Sequence, residues 1–409
     1  MFQKLKNSHT AEIVIVGGGY AGLNAAIRSA ELGKKVTVLD SAQIGFGASG
    51  RNGGQVIPGL KHDPKELIQI FGQGRGEKVI QFGGGTADRT FDLIRKYDMR
   101  CNAEQKGWLQ PALDNSTLKL AAERAQSWAR ATNAEVTILD RTEIASLTGT
   151  DFYCGGWIDH RGGQLQPLSY ARELARVAGN LGASIFTDSH VSGLRKAGTG
   201  WVVTSNDQEV TAKSVLICTN AYAGALLPDL SQSLIPGSSI MCSTKPLPED
   251  LLSSIIPSGL PISDARRLMN YIRLDPEGRF MIGARGSFSL NEPERYFRWL
   301  RSSAVKIFPR LRDIEWEDSW GGLFALTPDF LPHINKLDEG LFSVLGCNGR
   351  GVAMLSQLGS CLADLVITKD HDVSPLPVTP PASVPLHSLR RPALEAAVMW
   401  YRAMDALRL

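Results

Sequence analysis

The residues most able to do chemistry in this 409-residue chain are three glycines and one acid. Gly17, Gly19 and Gly22 stand at G-x-G-x-x-G spacing, and Asp40 lies eighteen residues past the last of them. In that pattern the first glycine permits a tight turn, the second lets a pyrophosphate touch backbone, and the third lets a helix pack close on a strand. A helix opening at Tyr20 and Ala21 would offer amides and a positive dipole end to phosphate. An acid at the end of the next strand can accept protons from both ribose hydroxyls. All of this requires strand, turn, helix and strand in order, and the sequence supplies them. Glu12–Val16 is short, apolar and β-branched, as a buried parallel strand is. Leu23–Leu32 carries Ala and Leu at helical spacing and is closed by Gly33. Lys35–Asp40 is a second strand. The pattern predicts a dinucleotide site; a purely structural glycine turn in an unrelated α/β protein is the alternative.

Further candidates extend the site. After Ser41 the chain runs through a glycine-rich loop in which Ser49, Arg51 and Asn52 offer donors. Gly50, Gly53 and Gly54 would let its backbone approach a flat ligand, as Gln55 closes the loop. The loop is long for an idle connector; the competing reading is a flexible surface loop. Ser214–Cys218 is a buried run ending at Thr219-Asn220, at a strand's carboxyl end, where ligands collect. Leu341–Leu345 followed by Gly346-Cys-Asn-Gly349-Arg350-Gly351-Val352 is a second strand–glycine loop–helix, whose helix end would stabilise negative charge.

The rest of the chain bounds these readings. Its length suggests two domains. A net charge of +3 predicts no nucleic-acid partner. Six cysteines without a Cys-x-x-Cys pair and seven scattered histidines argue against structural zinc and suit a reducing cytoplasm. No uninterrupted apolar run of membrane-spanning length stands out; Arg28 and Glu31 break the best one. No motif sets the oligomeric state. Asp63-Pro64 starts a helical stretch that continues in pieces to about Tyr97, interrupted by glycines that include the triplet Gly83–Gly85, either a helix break or a close packing contact. Strands are expected at 108–113, 155–158, 183–187, 239–244, 270–274 and 279–282, with a hairpin around Asn206-Asp207. Helices are expected at 118–131, 168–181, 293–308 and from Pro392 to the end, the last amphipathic through Leu394, Ala397, Met399, Trp400, Met404 and Leu407. The fold class is α/β: a Rossmann-type nucleotide domain (1–100, 160–222 and 320–409) with a discontinuous, sheet-rich substrate domain (101–159 and 223–319).

Taken together, these motifs resemble the FAD-dependent oxidases of the glycine oxidase, D-amino-acid oxidase and sarcosine oxidase family, over nearly the whole chain. Trp320–His333 and the hairpin Asn270–Gly283 are most similar to the branch that oxidises γ-glutamylputrescine and L-pipecolate. The resemblance implies FAD, with Ser49–Gln55 along the isoalloxazine ring and Val191 meeting the adenine through its backbone. Gly321, Gly322 and Gly349–Val352 would lie at the pyrimidine edge. Sarcosine oxidase relatives attach their flavin through a cysteine near this part of the chain; Ala325-Leu-Thr327 offers none, so noncovalent FAD is expected. The implied reaction takes a hydride equivalent from the carbon beside an amine, giving an imine. Arg51 or Arg350 would stabilise the reduced ring. Arg273, with Tyr271 beside it, would clamp a substrate carboxylate or else form a surface ion pair; His333 would be catalytic or packed under the flavin. The acceptor of the electrons is O2 or, in a dehydrogenase of the same fold, a quinone or carrier protein. A flavin-binding subunit without turnover is the reading from another class.

A side chain at position 19 would stand where the pyrophosphate must approach. Gly19→Val is therefore expected to purify with little or no flavin, measured as FAD fluorescence released per chain; full flavin content would remove this loop from the site.

Overall fold

The computed structural model describes residues 2–224, 226–287 and 292–407. Among these, the strands form sheets of seven, eight, four and two strands. The seven-stranded sheet runs Val378–Thr379, His333–Asp338, Leu341–Leu345, Ser214–Ile217, Ile13–Val16, Val36–Leu39, Ser184–Phe186. Its five strands from Leu341–Leu345 onward are parallel. Ile13–Val16 and Val36–Leu39 are buried at every position, which is why they read as continuous apolar runs rather than alternating ones. Ile13–Val16 leads into Val36–Leu39 on one side, while Ser214–Ile217 adds on the other. The carboxyl ends at Val16, Leu39, Ile217 and Leu345 therefore flank the point where strand order reverses, the place where such sheets bind ligands.

Two helices cover one face of this sheet. Tyr20–Glu31 packs against Gly351–Thr368 so closely that a Cβ on Gly359 would lie 2.0 Å from the carbonyl oxygen of Ala21. The second helix, with a mean hydropathy of 1.4 over 18 residues, is long and apolar enough to cross a bilayer, which the sequence reading overlooked. It is mostly buried in the core, against Leu23, Ile27 and Phe91.

The eight-stranded sheet is mixed, in the order Trp316–Leu326, Ile235–Pro246, Arg279–Arg285, Tyr271–Leu274, Ile262–Ser263, Trp108–Ala112, Gly155–Asp159, Val136–Leu139. Its core is separate, built from Ile240, Ile272, Phe280, Ile282 and the buried face of the helix Glu294–Ile307. Ile235–Pro246 is longer than the expected 239–244, and Trp316–Leu326 is a strand that was not expected. Also missing from the expectations were Val136–Leu139 and the helix Arg141–Thr148, which begins with a complete Asp140–Glu143 capping box.

Both readings of the glycine triplet hold. Gly85 joins the helices Gln73–Gly84 and Thr86–Lys96. A Cβ on Gly84 would meet Thr132 Cγ2 at 2.5 Å, and one on Gly83 would meet Leu60 Cδ1 at 3.2 Å. The last helix, Arg390–Leu407, buries Val398 and half-buries Leu394 and Met404, while Met399 and Trp400 are each 64% exposed. The side chains of Ala397 and Leu407 lie outside the described residues.

Ordinarily Gly→Ala within a helix stabilises by about 0.4–1 kcal/mol. Gly74, with nothing within 4 Å of its added Cβ, should follow that rule. Gly359→Ala should reverse the sign and cost about 1–3 kcal/mol, because the helices must separate. Urea unfolding of the two variants measures both.

Candidate active site

A cavity of about 1340 Å³ opens where the carboxyl ends of the parallel strands meet the eight-stranded sheet. Small-ligand sites occupy roughly 300–1,000 Å³, so this one has room for a large cofactor and a small substrate together.

At one end, Gly17, Gly19, Tyr20, Ala21, Asp40, Ser41 and Val191 line the wall. Gly17 has φ +103°, and a Cβ there would strike the Cys218 carbonyl at 2.9 Å. The Asp40 carboxylate accepts Gly18 N–H at 2.7 Å and Ala42 N–H at 2.9 Å. Burial pushes its pKa up, against the pull of these two amides. Tyr20 N–H, in the first turn of its helix, donates to Ser49 Oγ at 3.0 Å. Thr219 Oγ1 also lines the cavity and is buried without a hydrogen-bond partner among the described residues. Beside it, Asn220 Oδ1 accepts Gly346 N–H at 3.1 Å.

The other end is built by the loop after Ser41, which carries a short helix, Ala48–Arg51. Arg51 donates to the carbonyls of Phe46 at 2.6 Å and Gly321 at 3.1 Å. Asn52 donates to Tyr20 Oη at 3.0 Å and accepts Gly54 N–H at 2.8 Å, tying the loop to the first glycine motif. Gln55 reaches the second sheet through Ile262 O at 2.8 Å and accepts from Ser263 Oγ. Tyr271 packs its ring where a Cβ on Gly53 would come within 3.0 Å. The second glycine loop is fixed by Asn348, whose Oδ1 accepts Thr327 N–H at 3.0 Å and whose own N–H donates to Ala325 O at 3.0 Å. No side chain caps the helix that follows, and Gly349, Gly351 and Val352 line the cavity. Its free amides are available to a negative ligand.

Most of the expected residues therefore come together: Gly17, Gly19, Tyr20, Ala21, Asp40, Ser41, Ser49, Arg51, Asn52, Gly53, Gln55, Val191, Thr219, Asn220, Tyr271, Gly322, Gly349, Gly351 and Val352. Six do not line the cavity. Gly22 is the helix–strand contact, a Cβ there falling 1.9 Å from Gly17 O, and Gly50 packs on Gly45 O in the same way. Gly54 accepts Leu165 N–H, and Gly321 serves through its carbonyl. Arg273 is buried behind the loop, donating to Gly53 O at 2.8 Å, with burial lowering its pKa to about 10. Arg350 turns away to Pro58 O at 2.6 Å and the face of Trp108. His333 also lies outside the cavity, against Asp329 Oδ1 at 3.1 Å.

The sequence reading passed over Lys61, Tyr222, Ser239, Arg285 and Phe324, all of which line the cavity. Lys61 follows the glycine-rich loop by six residues, and that proximity was the signal available. It has no carboxylate partner among the described residues. Burial, with Arg350, Arg124 and Arg285 nearby, lowers its ammonium pKa to about 7. Arg124 holds the backbone around it, donating to Leu60 O and Lys61 O and pairing with Asp63 at 3.0 Å. The cavity thus gathers positive charge around Lys61 and, at its glycine turns, helix amides suited to an anionic, phosphate-bearing group.

Glycine turns at the switch point of one sheet, roofed by a second sheet, define a dinucleotide-binding oxidoreductase architecture. The chain belongs to the FAD dependent oxidoreductase family (DAO), which it matches over residues 12–365. It is 31% identical to a γ-glutamylputrescine oxidoreductase of Escherichia coli strain K12 over 368 residues, 89% of this chain and 85% of the relative. Among solved structures it is similar to glycine oxidase from Geobacillus kaustophilus, with a TM-score of 0.75 and 21% identity over 89% of this chain and 96% of that one. It is also similar to L-proline dehydrogenase from P. horikoshii, with a TM-score of 0.74 and 20% identity over 90% and 96%. The glycine cradle, the orphaned Thr219 hydroxyl and the uncapped helix end all fit FAD, the family's cofactor.

Because Lys61 is held near pKa 7, the flavin-free chain binds fewer protons than its unfolded state between about pH 7 and the ordinary lysine range. Stability from this group rises with pH across that window, and its full cost is present below it. Lys61→Met should therefore raise the melting temperature of the flavin-free chain more at pH 6 than at pH 9. An equal gain at both would show that the group does not titrate there.

Proposed function

We propose that this FAD-dependent oxidoreductase oxidises the C–N bond of a small amine, of the γ-glutamylputrescine type, to an imine, with O2 as the final electron acceptor. The observation that carries the reading is a cavity large enough for FAD and substrate together, whose wall around Lys61 and Arg285 is positive. When bound, FAD supplies the hydride acceptor, and the protein supplies position, dryness and electrostatics.

In this reading Asp40 and Ser41 take the ribose, and Val191 the adenine through its backbone. Gly17–Ala21 takes the pyrophosphate, with Thr219 and Asn220 beside it. Ser49–Gln55 runs along the ring, while Gly322 and the Gly349–Val352 turn hold its pyrimidine edge. The free amides at Gly351 and the guanidinium of Arg51 favour added negative charge there. Ala325-Leu326-Thr327 carries no cysteine, so in this reading FAD is held noncovalently. The nucleotide domain comprises 1–100, 160–222 and 320–409, and the substrate domain 101–159 and 223–319. The strand Trp316–Leu326 is shared: it hydrogen-bonds into the eight-stranded sheet while offering Gly322 to the cavity.

A substrate amine must lose its proton before its carbon can yield a hydride. Lys61, Arg285 and Arg51 disfavour an ammonium nearby, and the Lys61 Nζ, neutral in part at physiological pH, accepts that proton. Tyr271 and Phe324 enclose the reacting end. The relative named γ-glutamylputrescine oxidoreductase supports a substrate of this kind.

Anaerobic addition of γ-glutamylputrescine should bleach the flavin, and aerobic turnover should yield one peroxide per imine. Bleaching without peroxide would assign the electrons to a carrier. Bleaching by L-pipecolate or a D-amino acid, with none by γ-glutamylputrescine, would replace the amine with an amino acid.

A further inference from the structure

Arg285 ends the strand Arg279–Arg285 and lines the cavity. Its Nε and Nη2 are buried with no hydrogen-bond acceptor among the described residues. This sets it apart from the other guanidinium groups already described around the site. Arg51 donates to Phe46 O and Gly321 O, Arg124 to Leu60 O and Lys61 O, Arg273 to Gly53 O, and Arg350 to Pro58 O. Buried polar groups are nearly always satisfied, and each exception in a native protein calls for an explanation, a bound partner that completes the bonding being one.

The surroundings say which ligand. The guanidinium lies over the Phe324 ring, 5.4 Å from its centroid, a cation–π contact that helps to hold it in place. Arg285 is the register partner of Ser239. Ser239 Oγ is hydrogen-bonded to Tyr271 Oη, which also donates to Ala284 O at 3.1 Å. Tyr271 and Ser239 both line the cavity. A planar fork with two free N–H groups, next to two hydroxyls, matches a carboxylate in shape and charge. An ammonium group would be repelled, and a neutral carbonyl would leave one donor unmet.

We infer that Arg285, with Ser239 and Tyr271 beside it, binds a carboxylate carried by the amine substrate and thereby sets substrate choice. This rests on the reading of the enzyme as an amine oxidase and names the feature its substrates share. The carboxylate belongs either to a γ-glutamyl group remote from the reacting carbon or to an amino acid with the carboxylate adjacent to it. Unbound, the guanidinium is an unmet buried charge, and its pKa is lowered by that burial.

The test uses the FAD-loaded enzyme, Arg285→Met and Arg285→Lys. Anaerobic flavin reduction is followed with γ-glutamylputrescine, putrescine, L-pipecolate and D-alanine. The ratio of reduction efficiency for γ-glutamylputrescine over putrescine should fall about 100-fold in Arg285→Met through substrate binding rather than the limiting rate, and be partly restored in Arg285→Lys. If the dependence on Arg285 appears with L-pipecolate or D-alanine instead, the carboxylate is the adjacent one. Arg285→Met should also melt higher than wild type, since an unpaired buried cation has gone. Glutarate is the second probe: it should raise the melting temperature of wild type and not of Arg285→Met, whether or not any amine is turned over. A wild type that no amine reduces but that binds glutarate would defeat the amine-oxidase reading alone. An unchanged substrate ratio with unchanged glutarate binding, or loss of FAD in Arg285→Met, would overturn the inference.

Discussion

The constraint on which the rest depends is the close approach of two helices over one sheet. At Gly359 the helix Gly351–Thr368 lies against the backbone of Ala21, and at Gly22 the helix Tyr20–Glu31 lies against the backbone of Gly17. Neither contact leaves room for a Cβ. With both helices pressed to the same face, their N-termini open on the same cavity. Two helix N-termini then point to one ligand, as a molecule with negative charge at its diphosphate and again on its reduced ring requires. A larger residue at Gly359 would separate the two helices, and one at Gly22 would lift the first helix off its own turn.

The second sheet completes what the first begins. Gln55 and Ser263 join the glycine-rich loop to it, and Asn52 joins the same loop to Tyr20. The loop is thus stretched between two cores that are otherwise separate. Its glycines allow the Tyr271 ring to rest on its backbone at Gly53. Cofactor and substrate walls are positioned by one segment, so a shift of the substrate sheet is felt at the ring.

What could be read from the sequence was local. The dinucleotide turn, Asp40, the second glycine loop and the hairpin at Asn206-Asp207 each depend on backbone conformations that their own residues dictate, including φ +50° at Asn206 and +62° at Asp207. The choice of arginine was not local. Tyr271 faces Gly283 across the sheet, so Tyr271, Arg273 and Arg285 share one face. The loop at Gly53–Gly54 covers the Arg273 end and leaves the Arg285 end open, and only the folded path of that loop distinguishes them. The depressed Lys61 pKa is likewise the work of burial first and then of Arg350, Arg124 and Arg285, which are dispersed along the chain. The strand Val136–Leu139 was passed over although the capping box after it was visible, because a four-residue run carries little periodic signal.

The central claim is that the cavity holds one FAD without a covalent bond, between the two glycine turns and the second sheet. Denaturing the purified yellow protein with acid and separating the precipitate measures this directly. The account predicts one intact FAD per chain, all of it in the supernatant. Flavin retained on the precipitated chain would show a covalent link, through Cys347 or Cys218 on the cavity wall, and a chain that purifies without flavin and fails to take up added FAD would contradict the account as a whole.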